Sequence, residues 1–155
     1  MFDKNIKYHF QAVNRVKYIT PYPYVNTMKI PCELVVWYVL PTIRREVTRE
    51  LVKTHGLSQA EVARKFGVTD AAISQYLKKK RGDNQLIEDS PQYEKFEQEI
   101  KVSAARIANN ESEFATEMCR MCTVVKSTGM LAKIYEVQEG CKPPACACDS
   151  NVKIQ

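Results

Sequence analysis

No apolar run in this 155-residue chain exceeds the seven residues Leu34-Val35-Val36-Trp37-Tyr38-Val39-Leu40. Crossing a bilayer takes about 20 such residues, so a membrane span is excluded. Residues 1–27 hold scattered polar groups and no unbroken apolar stretch of the secretory kind, which makes the cytoplasm the expected location. Histidine is scarce: there are two, and neither His9 nor His55 lies near a cluster of cysteines. Internal repeats are absent. No acid–base pair or activated nucleophile is evident beyond the thiols, which argues against an enzyme.

What remains is a composition of 45% hydrophobic and 26% charged residues, that of a soluble globular protein. The length suits one domain, or one small domain with an elaborated arm. The net charge of +5 hides a division along the chain. Residues 28–82 hold eleven Lys/Arg against five acids, a net of +6, whereas residues 83–118 hold three against nine, a net of −6. A basic segment beside an acidic one suggests a polyanion-binding module next to a part that avoids polyanions. A chance imbalance on solvated faces is the alternative.

Cysteine is plentiful, six in all, and unevenly placed. Cys32 stands alone beside the apolar run, where a buried small hydrophobe is the expected role. Cys119, Cys122, Cys141, Cys146 and Cys148 crowd into 30 residues. A disulfide scaffold needs an export signal, so metal or redox chemistry is the natural reading.

Along the chain, residues 1–27 end in a Pro- and Tyr-rich stretch and show no chemistry. Met28-Lys29-Ile30-Pro31-Cys32-Glu33 reads like a natural start, and the native protein is expected to begin at Met28. Helical periodicity starts at Pro41, a residue suited to a first helical position, and Ile43, Val47 and Leu51 recur every four residues. Gly56 can stop that helix. Ser58 opens a second as N-cap, with Glu61 completing a capping box, and Gly67 ends it. Thr69 caps a third helix that is expected to stop near Arg81-Gly82. Residues 82–90 read as a polar linker. Beyond Pro91, Tyr93, Phe96, Ile100, Ala104 and Ile107 fall on one helical face. Asn109-Asn110 breaks it, Ser112 with Phe114, Met118, Met121 and Val125 restarts it, and Gly129 interrupts again. The fold expected is mainly α.

Residues 59–76 (QAEVARKFGVTDAAISQY) are the most specific segment. Two short helices crossing steeply through a tight turn need particular residues at fixed places. Ala63 is small where the helices pass. Gly67 takes a conformation that a side chain opposes. Val62, Phe66, Val68 and Ile73 fill the wedge, and Thr69 caps the later helix. This segment resembles the DNA-binding domain of XRE (lambda-repressor/Cro-like) helix-turn-helix regulators. Further residues narrow the likeness: Pro31-Cys32-Glu33-Leu34-Val35-Val36-Trp37-Tyr38-Val39-Leu40-Pro41, Arg44-Arg45-Glu46, Leu57-Ser58-Gln59 and Ala72-Ile73-Ser74-Gln75-Tyr76-Leu77. These are similar to predicted archaeal transcription regulators of the XRE type that carry a Cys-x-x-Cys and further cysteines near the C-terminus.

The resemblance implies a helix-turn-helix domain over 28–82 that binds double-stranded DNA through a recognition helix in the major groove. Residues 1–27 form an extension, and 83–155 a helical dimerisation arm with a Cys-rich end. Gln59 matches a phosphate-touching position at a helix start. Thr69, Asp70, Ala71, Ser74 and Gln75 match the outward side of the recognition helix. Gln75 suits a bidentate contact to adenine, worth roughly 1–3 kcal/mol of discrimination; Ala71 suits a thymine methyl. Asp70 repels phosphate, so it accepts from a cytosine amine or braces Gln75. Lys78, Lys79, Lys80 and Arg81 would meet phosphates beyond the helix end, with Arg44, Arg45, Arg64 and Lys65 as lesser candidates. The alternative is an interaction module with a solvated basic end.

One recognition helix reads few base pairs, so a homodimer on a two-fold site is expected. The helix at 91–109 is the candidate contact; burial within its own chain is the competing fate. For the thiols, four of Cys119, Cys122, Cys141, Cys146 and Cys148 can hold an iron–sulfur cluster, [4Fe–4S] preferred, or zinc. Metal-free cysteines stay open. The archaeal group has a third cysteine after a Gly-containing spacer with a His close by, and no His follows the pair here. Two functions stand side by side: a DNA-binding regulator sensing redox or metal state, and a redox or metal-handling protein whose helix-turn-helix is a docking module.

Overall fold

The computed structural model describes residues 31–144. Helix α1 (Pro31–Leu34) passes through a π-helical segment (Val35–Val39) into α2 (Leu40–Lys53) without a break. Then come α3 (Gln59–Phe66), α4 (Asp70–Leu77), α5 (Gln85–Glu88), α6 (Tyr93–Ala108), α7 (Phe114–Ser127) and α8 (Met130–Glu139). Among the described residues there is no strand, as a mainly α fold requires. No helix among them is long and apolar enough to cross a membrane.

Helix is therefore already present ten residues before Pro41, the expected start. Proline has no N–H and crowds the carbonyl one turn back, so it interrupts a regular helix. The wide turn just before it removes the conflict. The Leu40 amide reaches back five residues to the Val35 carbonyl, and Pro41 falls in the first turn of the regular helix. The Tyr38 carbonyl accepts from Thr42 Oγ1 at 3.1 Å and from Asn84 Nδ2 at 3.0 Å. Val36 and Trp37 turn outward, about half exposed.

Helix α2 is the centre of the molecule and packs on α3, α4, α6 and α7. Its Ile43, Val47 and Leu51 are fully buried, the four-residue spacing that places side chains on one side of a helix. Against them lie Phe96, Ile100, Ala104 and Ile107 of α6, then Met118, Met121 and Val125 of α7. Met130, Leu131, Ile134 and Tyr135 of α8 complete one continuous core. Each fully buried large apolar side chain contributes roughly 1.5–3 kcal/mol. The apolar stripe of α6 is thus spent inside its own chain, and that side is not available as a dimer contact.

Residues 82–90 are not a linker. Gly82 is pressed against Pro41, Asn84 caps α5 and bonds to the Tyr38 carbonyl of the π-helical segment, and Ile87 is fully buried. Ion pairs tie the helices laterally. Glu117 of α7 is fully buried and accepts from Arg120 Nε at 2.8 Å and Ser103 Oγ at 2.8 Å. Arg120 also donates to the Glu99 carbonyl at 2.7 Å and pairs with the Glu99 carboxylate. Burial alone would raise the Glu117 pKa, but the hydrogen bonds from Arg120, Ser112 and Ser103 outweigh it and hold the carboxyl below its ordinary range.

Candidate nucleic-acid interface

Helix α3 starts where the sequence says it must. Ser58 Oγ accepts from the Glu61 amide at 3.2 Å, and a Glu61 carboxylate oxygen accepts from the Ser58 amide at 2.8 Å. This reciprocal pair satisfies donors that a helix start leaves open. It also holds the exposed Glu61 below the ordinary glutamate pKa, the Ser58 hydroxyl being the largest cause. Gly67 ends α3 with φ 64°, ψ 35°, a left-handed conformation that costs other residues more. The Val68 amide bonds back to the Ala63 carbonyl at 3.0 Å and closes the turn. Thr69 then caps α4, its hydroxyl accepting from the Ala72 amide at 3.2 Å.

Between the two helices Val62, Ala63, Phe66, Ile73 and Tyr76 are buried, and Val68 is half-buried against them. Tyr76 joins the expected wedge residues, because it follows Ile73 at a spacing of three that keeps it on the inner side. The outer side carries the expected residues. Gln59, Thr69, Asp70 and Ala71 are exposed, and Ser74 and Gln75 are half-buried. That side is open to solvent, not packed inside the protein.

The basic run sits differently from its expected place. Helix α4 stops at Leu77, not near Arg81-Gly82. Lys78 is its C-cap and Lys79 takes φ 54°. The Lys79 amide bonds to the Tyr76 carbonyl at 3.1 Å and the Lys80 amide to the Gln75 carbonyl at 2.9 Å. These bonds are the kind that close a helix with a left-handed residue. Lys78, Lys79, Lys80 and Arg81 are all exposed, on a tight turn directly after α4.

The lesser cations divide. Arg64 is exposed on α3 and Arg44 is half-buried on α2. Arg45 is excluded from any phosphate contact, because it is 3% exposed and bound to carboxylates. Lys65 is engaged at the end of α6: its Nζ donates to the Ile107 carbonyl at 3.0 Å and to Asn110 Oδ1 at 2.6 Å. Beside it, Phe66 stacks on Phe114 of α7 with ring centroids 3.7 Å apart and planes 19° from parallel. Helix α3 is thereby fastened to the α6–α7 corner.

Cys119 and Cys122 lie on α7, exposed and half-buried respectively. Three residues apart on one helix, they share a side, while Arg120 between them turns inward to Glu99 and Glu117. Cys141 is exposed just past α8. It stands near enough to Tyr135 to add to the effect of burial in raising the phenol's pKa. Cys146 and Cys148 lie outside the described residues. Among the described residues no three Cys, His, Asp or Glu side chains converge on a metal position. Cys32 is half-buried on α1.

Two short helices joined through a left-handed glycine, with a polar outer side and a basic turn, have the form of a helix-turn-helix. Residues 49–82 match the family model described as helix-turn-helix. Over those residues the chain is similar to helix-turn-helix domains. Neither a curated protein nor a solved structure matches the chain.

Proposed function

We propose that this protein is a sequence-specific, dimeric transcription regulator of the cytoplasm. In this reading α4 enters the major groove of double-stranded DNA, and Gln75, Ser74, Ala71, Asp70 and Thr69 meet base edges. Gln59 meets a phosphate at the start of α3. Residues 78–81 meet phosphates beyond α4. The observation that carries the reading is the open outer side of α4, followed at once by four exposed cations in a row. Dimerisation uses a surface other than the inner side of α6, which is filled.

Four of the five clustered cysteines would hold an iron–sulfur cluster, [4Fe–4S] preferred, or zinc. The donor set is soft and anionic, as both require, and Cys119 with Cys122 offers two thiols on one helix. The remaining ligands must come from Cys141, Cys146 and Cys148. A bound cluster would supply a redox-labile brace at the chain end, and zinc a static one. Either way, a change at Cys119 and Cys122 is felt along α7 at Phe114, which stacks on Phe66 of α3. That contact is a direct route from the thiols to the DNA-binding unit.

Selection of a duplex from random sequences, followed by gel-shift titration across salt, tests the reading. Six phosphate contacts give a slope near −5 on logarithmic axes. Gln75→Ala should relax sequence preference at one position, and Lys79→Ala should weaken all duplexes alike and flatten the slope by about one. Absence of binding to any duplex would leave the docking-module function instead. Metal and sulfide analysis of protein purified without oxygen separates iron–sulfur, zinc and metal-free thiols.

A further inference from the structure

Arg45 looks from its sequence like one more cation for phosphate, yet the fold has turned it into an internal anchor. Its side chain is buried on α2 and bonds to three carboxylates. Nε donates to Glu46 at 2.8 Å, one terminal nitrogen donates to Asp83 at 2.9 Å, and the other pairs with Glu88. Asp83 and Glu88 come from the segment that directly follows the basic run. Asn84 adds a bond to the Tyr38 carbonyl, and Gly82 sits against the Pro41 backbone and the Arg45 β-carbon. The turn carrying Lys78, Lys79, Lys80 and Arg81 is therefore held at both ends: by the α4 cap bonds on one side, and by residues 82–84 on the other.

We propose that Arg45 is a positioning residue for DNA binding, acting through Asp83 and Glu88 to fix where the four cations of 78–81 present their charge. A phosphate contact adds affinity only if the cation is already near the phosphate, since ordering a loose segment on binding costs free energy. Four flexible side chains on a loose turn would still attract DNA, but in no fixed register. With the turn clamped at Asp83, their backbone is fixed relative to α4, and so to the bases α4 reads. The inference rests on the DNA-binding reading above and adds a residue that touches no DNA.

The double variant Asp83→Asn with Glu88→Gln tests it. Both changes are near-isosteric, and Asp83 is well exposed, so the core is preserved; a thermal melt verifies this. The variant removes two negative charges beside the basic run. Charge alone thus predicts tighter binding and a steeper salt slope. Loss of the clamp predicts the opposite sign: binding weaker by about tenfold and a slope flatter by about one to two. It also predicts faster amide exchange at Lys79, Lys80 and Gly82 in the free protein, which needs no DNA. Unchanged or tighter binding, or unchanged exchange at these amides, overturns the assignment. Arg45→Lys should fall between, because one ammonium cannot span three carboxylates. If the wild type binds no duplex at all, the DNA-binding reading itself fails and this assignment with it; a wild type that binds, with a variant binding equally well, removes only the role of Arg45.

Discussion

Replacing Gly82 with alanine adds one methyl group at a backbone position with φ 78°. The same change at Gly67 adds it at φ 64°. The left-handed conformation costs an L-residue roughly 1–2 kcal/mol at either site, so dihedral strain alone predicts equal effects. The surroundings differ. At Gly67 the new methyl meets nothing within 4 Å. At Gly82 it would stand 2.8 Å from the Pro41 carbonyl carbon and 2.9 Å from the Arg45 β-carbon, with the Pro41 oxygen closer still. Two of these atoms are backbone, and α2 is held by the core on its other sides, so neither can yield cheaply. Such overpacking adds about 1–3 kcal/mol. For a chain of about 150 residues or more each kcal/mol shifts the melting temperature by roughly 2–4 °C. Gly67→Ala should thus lower the melting midpoint by about 2–8 °C, and Gly82→Ala by about twice as much. Circular dichroism melts of both variants at matched concentration read the difference. Equal losses would show that residues 82–84 do not press on α2 and would undo the account of the clamp.

Other expectations follow from the same contacts. Ser58→Ala removes the hydroxyl half of the capping box and should cost about 1 kcal/mol in a denaturant titration, with Ser58→Asn restoring most of it. Phe114→Ala abolishes the stack on Phe66; about 0.5–1.5 kcal/mol is lost beyond the buried area, and DNA binding should fall with it if α7 governs α3. Glu117 has a depressed folded pKa, so its contribution is fully present above the unfolded glutamate value of about 4.3 and is lost as pH falls through the lower folded value. Melts from pH 6 down to about 2 should lose stability more steeply for the wild type than for Glu117→Gln, and parallel curves would remove Glu117 from the account.

Much of the helix-turn-helix was legible because its signals are local. Ser58 with Glu61, Gly67 and Thr69 each act within one turn of the backbone, and each stands in the structure at its expected position. What was illegible depends on partners distant in sequence. Pro41 reads as a helix start until the π-helical turn before it is known, and nothing in Val35-Val36-Trp37-Tyr38-Val39 announces that turn. Residues 82–90 are polar enough to pass for a linker, and only Arg45 and Tyr38, about forty residues earlier, show why they are held. The stripe on α6 was plain, but a sequence cannot say whether such a stripe meets its own chain or another copy. The end of α4 was placed too late because lysine and arginine are good helix formers, and the left-handed turn at Lys79 overrode that preference.

The division of charge along the chain gains a different meaning in three dimensions. The acidic segment does not merely avoid polyanions. Its Asp83 and Glu88 neutralise Arg45, Glu97 approaches Arg49 at 3.9 Å, and Glu99 with Glu117 holds Arg120. Arginines that looked like surplus positive charge, or like phosphate contacts, are spent on joining α2 to α5 and α6, and α6 to α7. The guanidinium groups at these joints each serve several oxygens at once, which a lysine ammonium does less well. The exposed run at 78–81 has three lysines and one arginine, and no ion pair joins any of them to a described carboxylate. The acids have cancelled the cations that build the fold and left positive charge concentrated where α4 ends. Among the described residues this run of exposed cations lies directly beside α4, where the proposed reading needs a polyanion to dock.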